Sequence, residues 1–179
     1  VCPRTESPMV EITCITHRRD PIWTSFISQV TPSESSTIKI VSYEPQFLSF
    51  LRDTCSVKSL KRVVMHEPLS NIRPIIFLQF KKTTEGEIWR ALKLASSYQT
   101  NVGKVVIAVD EDIDPENLDA VMWAMAYRMI PHRDVQVVRG FFEAFGDRED
   151  MENSVLLINA TLREKLPPIS LPKKEFMEH

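Results

Sequence analysis

Residues 73–109 read RPIIFLQFKKTTEGEIWRALKLASSYQTNVGKVVIAV, and the fold class is decided by their pattern. Arg73 to Phe80 is apolar on both faces, as a central strand covered from both sides must be. From Thr84 to Tyr98 the period changes to that of a helix, with Ile88, Ala91, Leu92 and Ala95 at i, i+3, i+4 and i+7. Thr84 and Glu87 have capping-box spacing, which satisfies free N–H groups at a helix start. Val105 to Val109 is again short and wholly apolar, the pattern of a buried parallel strand. Strand, helix and strand in succession predict a crossover between parallel neighbours.

Working outward, Leu60–His66 (LKRVVMH) reads as a strand, and the short link EPLSNI makes it the antiparallel neighbour of 73–80. Downstream, Asp114 with Pro115 at the first helical position predicts a helix. Its core face would carry Leu118, Val121, Met122, Met125 and Met129, and Pro131 would stop it. Trp123 and Tyr127 form a second apolar face, as on a helix covered by the sheet and by another domain or subunit. Val135–Val138 (VQVV) reads as the next strand. The order β–β–α–β–α–β predicts the α/β class, a mixed, mostly parallel sheet with flanking helices.

Toward the N-terminus, Met9–Thr16 (MVEITCIT) alternates with Val10, Ile12 and Cys14 on one side, the period of a strand. Asp20 before Pro21 ends it. Thr31-Pro32-Ser33-Glu34-Ser35-Ser36 reads as a turn into a helix over about 35–43, capped by a hydroxyl. Glu44-Pro45 predicts a helix restart, with Phe47, Leu48 and Leu51 as its apolar stripe. Prolines in LPPISLPKKEFMEH (166–179) exclude regular structure before Lys173.

Composition narrows the function classes. The 179 residues carry a net charge of −2, with 43% hydrophobic and 26% charged residues. That is a globular profile without the basic field of a nucleic-acid binder. Only four glycines occur, none in phosphate-loop spacing. Cys2, Cys14 and Cys55 form no CxxC pair, which predicts a reduced, cytoplasmic setting and no zinc ribbon. No apolar run approaches the ~20 residues that span a bilayer. The sequence begins VCPRTESPM, without an initiator Met or a signal-peptide pattern, and reads as a piece of a longer polypeptide.

Candidate chemistry lies at strand ends. Asp110, Glu111, Asp112 and Asp114 follow a parallel strand, where α/β folds place ligands. One reading is a site for a hard cation such as Mg²⁺, and hence an independent Mg²⁺ enzyme. The other is a solvated loop that caps the next helix, since consecutive side chains cannot all face one ion. His66-Glu67 reads as an acid–base pair or as a packed strand end. His17-Arg18-Arg19 reads as an anion site or as a solvated turn, and His132 as surface. No nucleophile–base arrangement is specified.

Six strings in order carry a resemblance: EITCITHRRDPIW, TPSESS, RVVMHEP, GKVVIAVDEDIDP, AVMWAMAYRMIPHRD and NATLREKLPPISLPKKEF. Together, from about Val10 onward, they resemble the C-terminal portion of the UbiD family of decarboxylases. The resemblance implies a parent enzyme with an N-terminal α/β domain, a middle flavin-binding domain and a C-terminal oligomerisation domain. Residues 1–30 would end the middle domain, 31–55 form a connecting helix, and 56–179 form the C-terminal α/β domain with a truncated last helix. Family members catalyse reversible, non-oxidative decarboxylation of aromatic or α,β-unsaturated acids, with prenylated flavin mononucleotide as electron sink.

The resemblance also implies where the chemistry is absent. The family's Glu–Arg–Glu network and the ligands of its divalent metal (Mn or Mg) would lie upstream, so the piece alone is expected to be inactive and to bind neither cofactor. Thr31, Pro32, Ser33 and Glu34 would approach the substrate pocket. Tyr98 and Val102 would come near the flavin, with Tyr98 where some relatives place a Lys toward the phosphate. Phe141, Phe142 and Phe145, in the segment from Gly140, would close over an aromatic acid by stacking and exclusion of water. The expected partners are that acid and further copies of the chain, as a dimer or higher oligomer, with no nucleic acid and no membrane. The alternative is a non-catalytic protein-assembly module, joined through the face carrying Trp123 and Tyr127. The family role of the Asp110–Asp114 group would be structural.

Overall fold

The computed structural model describes residues 9–25, 33–66, 75–99, 102–139 and 154–162. Helix α1 (Glu34–Ser49) runs into a π-helical turn at Phe50–Thr54. Strands β1 (Leu60–His66) and β2 (Ile75–Phe80) follow, then α2 (Glu85–Tyr98), β3 (Val105–Asp110) and α3 (Leu118–Arg128). A one-turn helix α4 (Pro131–Asp134) leads into β4 (Val135–Arg139), and β5 (Ser154–Asn159) completes the sheet.

The sheet order is β1-β2-β3-β5-β4. β2, β3 and β5 are parallel, and antiparallel strands β1 and β4 form the two edges. The expected mixed α/β sheet is therefore present. Its centre is the apolar trio β2, β3 and β5, flanked on both faces by helices as the unbroken apolar runs demand.

Alternation along the strands divides the core in two. On one face Val63, Met65, Ile76, Leu78, Phe80, Val106, Ala108 and Leu157 pack against α1 and α2. On the other, Val64, Phe77, Ile107, Val109 and Ile158 pack against Ala120, Val121 and Ala124 of α3. Gly103, at φ +81°, begins the turn into β3 in a region that L side chains rarely adopt.

Several sequence expectations are corrected. Residues 9–16 form no strand: 9–25 lack helix and strand, and Val10, Ile12, Ile15 and Trp23 are exposed. Period-two alternation marks a segment able to pair, and no described strand pairs with this one. α1 does not restart at Glu44-Pro45 but runs through, because Pro45 is exposed and Phe47 anchors the helix beyond it. α3 begins at Leu118, not after Asp114. The Asp114 carboxylate accepts the Glu116 N–H (3.1 Å) in a turn, and Asn117 Oδ1 caps the helix by accepting the Ala120 N–H (3.2 Å). The expected core stripe of α3 holds in part: Val121 is buried and Met125 and Met129 pack against the core, but Leu118 and Met122 are exposed, and Ala124 and Arg128 are buried on the sheet side instead. Finally, β4 is not a parallel neighbour of β3, because β5 (SVLLIN), unread in the sequence, inserts between them.

Candidate functional site

The polar groups of the fold gather at the C-terminal ends of β2, β3 and β5. Arg128, on the last turn of α3, is 3% exposed. Its guanidinium meets Asp112 in a two-pronged pair (2.9 and 2.5 Å) and Asp110 at 3.0 Å. It also lies over the Trp123 ring, 5.3 Å from the centroid, a cation–π contact. Asp110 in turn accepts the backbone N–H of Leu162. The Asn159 amide oxygen accepts the Thr161 hydroxyl (2.7 Å) and N–H (3.2 Å). One arginine thus ties the end of β3, its following loop and α3 together, and Asp110 adds the chain leaving β5.

Electrostatics follow from this geometry. Burial pushes the Asp110 carboxyl above its ordinary range, against the pull of the Leu162 N–H and Arg128. The Arg128 bond holds the more exposed Asp112 below its ordinary range. Burial alone would lower Arg128, but the two carboxylates outweigh it and raise its affinity for the proton. Arg128 is shared unequally: the two-pronged pair with Asp112 lowers that group, while desolvation dominates at Asp110.

Gln79, a polar residue in the apolar β2 run, has a structural cause. Its side-chain amide donates to the carbonyls of Ile113 (2.8 Å) and Glu111 (3.4 Å), roofing the strand with the loop. Arg62 on β1 holds the outer side of that loop through Asp114 (3.5 Å) and Glu116 (2.5 Å), and Lys61 pairs with Glu111 at 3.6 Å. The acidic group is therefore occupied by the protein's own cations. Among the described residues, no three His, Cys, Asp or Glu side chains converge as metal ligands do.

The other predicted site residues fall apart in space. Ser33 is buried at the start of α1, where its carbonyl accepts the Thr37 N–H (3.0 Å) and hydroxyl (3.1 Å). Glu34, the first helical residue, is exposed. Tyr98 ends α2 with its ring stacked on Phe50 (4.0 Å) and edge-on to Phe47 (4.8 Å). Val102 is buried in the same core. An aromatic ring packed between two phenylalanines and a core valine present no cation, so these two side chains do not fit a flavin phosphate. Thr31, Pro32, Glu67, Phe141, Phe142 and Phe145 lie outside the described residues. His66 stacks near Phe77 (6.0 Å), and His17, Arg18, Arg19 and His132 are exposed.

Arg128 and Gln79 were not singled out in the sequence. Arg128 had a signal: Val121, Ala124 and Arg128 share one helix face, and a cation on a buried face requires carboxylates, which DEDID supplies.

Residues 37–168 match the family model described as the 3-octaprenyl-4-hydroxybenzoate carboxy-lyase C-terminal domain. The chain belongs to the UbiD family. It is 28% identical over 132 residues to the phenolic acid decarboxylase of Sedimentibacter hydroxybenzoicus, covering 72% of this chain and 26% of that protein. Against the anhydromevalonate phosphate decarboxylase of Archaeoglobus fulgidus it is 32% identical over 113 residues, covering 62% and 25%. Among solved structures, it is similar to the evolved dimeric form of the UbiD-class enzyme HmfF from Pelotomaculum thermopropionicum in complex with prFMN. There the TM-score is 0.61 at 26% identity, over 78% of this chain and 29% of that one. The vanillic acid decarboxylase of Sedimentibacter hydroxybenzoicus in open form shares the fold with a TM-score of 0.71 at 20% identity, over 91% and 36%. The UbiD-family chain thus spans between a quarter and about a third of these relatives' length. Among its described residues, no helix is long and apolar enough to cross a membrane.

Proposed function

We propose that this UbiD-family chain is the C-terminal part of a prenylated-FMN-dependent decarboxylase of aromatic or α,β-unsaturated acids. In this reading the reacting groups, the flavin and the divalent metal stand on polypeptide outside these 179 residues. The observation that carries it is the occupation of Asp110 and Asp112 by Arg128 within a matched family domain. The densest acidic group of the chain serves the fold, leaving a scaffold rather than a second reaction centre. When bound, the flavin supplies the sink for the electron pair left behind as CO₂ departs. The chain's own residues exclude water and shape the pocket, through Thr31–Glu34 and through Phe141, Phe142 and Phe145.

The same reading makes residues 1–30 the end of the flavin-binding domain, 31–55 the connector and 56–179 the domain that joins subunits. Its support at the N-terminus is the alternating, exposed segment from Met9 to Thr16, which has the pattern of a strand completed by another sheet. For the subunit contact, the support is the outer face of α3, with Leu118, Met122 and Tyr127 exposed.

The test is direct. The purified 179-residue chain, mixed with prenylated FMN and a panel of aromatic and α,β-unsaturated acids, releases no CO₂ above the enzyme-free control. Turnover comparable to that of a full-length family enzyme overturns the reading.

A further inference from the structure

Helix α1 changes character along its length. Its C-terminal end is fixed, with Phe47, and Leu51 just beyond it, fully buried. Its N-terminal half turns Ile38 (65% exposed), Val41 (71% exposed), Thr37, Lys39 and Ser42 to solvent, while Ser33 at its start is buried and Ile40 is half-buried. The boundary is Glu44-Pro45. Pro45 offers no N–H to the carbonyl four residues back, and its ring crowds that carbonyl, so the helix is weakest there. The Glu44 carboxylate accepts the backbone N–H of Met65 at 2.8 Å. Met65 lies on β1, the edge strand among the described residues, where no described strand takes its outward N–H groups.

We propose that Glu44 is a latch that holds an arm, residues 34–42, against the sheet through the Met65 N–H, with Pro45 as the point about which the arm swings. The proposal rests on the reading that Ser33 and Glu34, at the arm's tip, border the substrate pocket, because the swing would move them with it. The charged groups facing Glu44 are Arg62 on β1 and Glu116 in the loop before α3. Arg62 is already engaged by Glu116 and Asp114, so it neutralises Glu44 only in part. Burial first, and Glu116 second, push the Glu44 carboxyl upward, against the Met65 N–H and Arg62. A carboxyl raised in the docked state favours docking when protonated. The latch therefore holds fully below the free carboxyl value and loosens as pH rises through the raised one.

Hydrogen–deuterium exchange on the 179-residue chain tests this, read as protection factors so that the intrinsic pH dependence of exchange cancels. Glu44→Ala is expected to lower protection at Met65 and at amides 38–44 by about tenfold. Glu44→Gln keeps an acceptor without the charge. Its protection should stay level as pH rises from below the ordinary carboxylate range to neutrality, while that of the unsubstituted chain falls. Protection within about twofold of the unsubstituted chain at both places in Glu44→Ala overturns the latch. So do coincident pH profiles for Glu44→Gln and the unsubstituted chain, a comparison that decides the matter even when the alanine variant does not fold. The readout needs neither flavin nor acid. Failure of the decarboxylase reading leaves it unchanged, and failure of the latch leaves the CO₂ result unchanged.

Discussion

Arg128 shows how one side chain sets the chemistry of a strand end. A buried guanidinium is tolerated only with its charge matched, and Asp110 and Asp112 match it. Replacing it with methionine keeps the aliphatic stem but strands two carboxylates. We expect Arg128→Met to lower unfolding free energy in urea by about 3 kcal/mol, the modest end for a broken buried pair, because the half-exposed Asp112 rehydrates. Adding Asp110→Asn and Asp112→Asn to the same protein should recover part of that loss. The pH dependence divides between the two acids. Asp112, held low, contributes stability that is present above the ordinary carboxylate range and lost as pH falls through its depressed value. Asp110, raised by burial, contributes with the opposite sign: its stabilisation is full below the ordinary range and lost as pH rises through its raised value. Asp112→Asn should therefore flatten the acid limb of stability against pH, measured by thermal melts. An unchanged limb would remove Asp112 as its cause.

At the scale of elements, local pattern and local structure agree where the apolar residues mark the buried side without ambiguity. Helix α2 was legible because its buried residues Ile88, Ala91, Leu92 and Ala95 repeat at helical spacing and Thr84 caps it, accepting the Glu87 N–H at 3.3 Å. β3 was legible because a wholly apolar run before an acidic turn has few other places to go. α3 was read only in part: Val121, Met125 and Met129 meet the core as expected and Leu118 and Met122 do not, since apolar residues surround the helix and periodicity alone does not say which side meets the sheet. There the burial of Ala124 and Arg128 beside Val121 sets the inner side, with Arg128 meeting Asp110 and Asp112. β5 went unread because SVLLIN is short and apolar without a flanking glycine or proline, a pattern shared with a buried helix segment. The turn into β3 gives a sharper test. A Cβ on Gly103 would stand 2.9 Å from Ile76 Cδ1 at a φ of +81°. Gly103→Ala should destabilise the protein by about 1–2 kcal/mol, read as a lowered denaturation midpoint at unchanged m-value.

For the whole molecule, the covering of apolar surface is the organising question. The sheet is closed on both faces by α1, α2 and α3, while the outer side of α3 keeps Met122 54% and Tyr127 65% exposed. Sedimentation over a range of concentrations should show self-association of the chain. Met122→Glu with Tyr127→Glu should shift it to monomer, while circular dichroism stays unchanged. Association unaffected by the pair would place the contact elsewhere.

The sequence by itself determined the α/β class, the central β2–α2–β3 crossover and the family resemblance, because each rests on local period or on the order of short motifs. Of the candidate site, only the position of the acidic group after β3 was legible. That its charges are spent on Arg128, that Gln79 roofs β2 and that β5 separates β3 from β4 were decided by tertiary structure. Those facts depend on which distant groups meet in a medium of low dielectric, where an unpaired charge or amide is costly and its partner is chosen by three-dimensional proximity rather than by spacing along the chain.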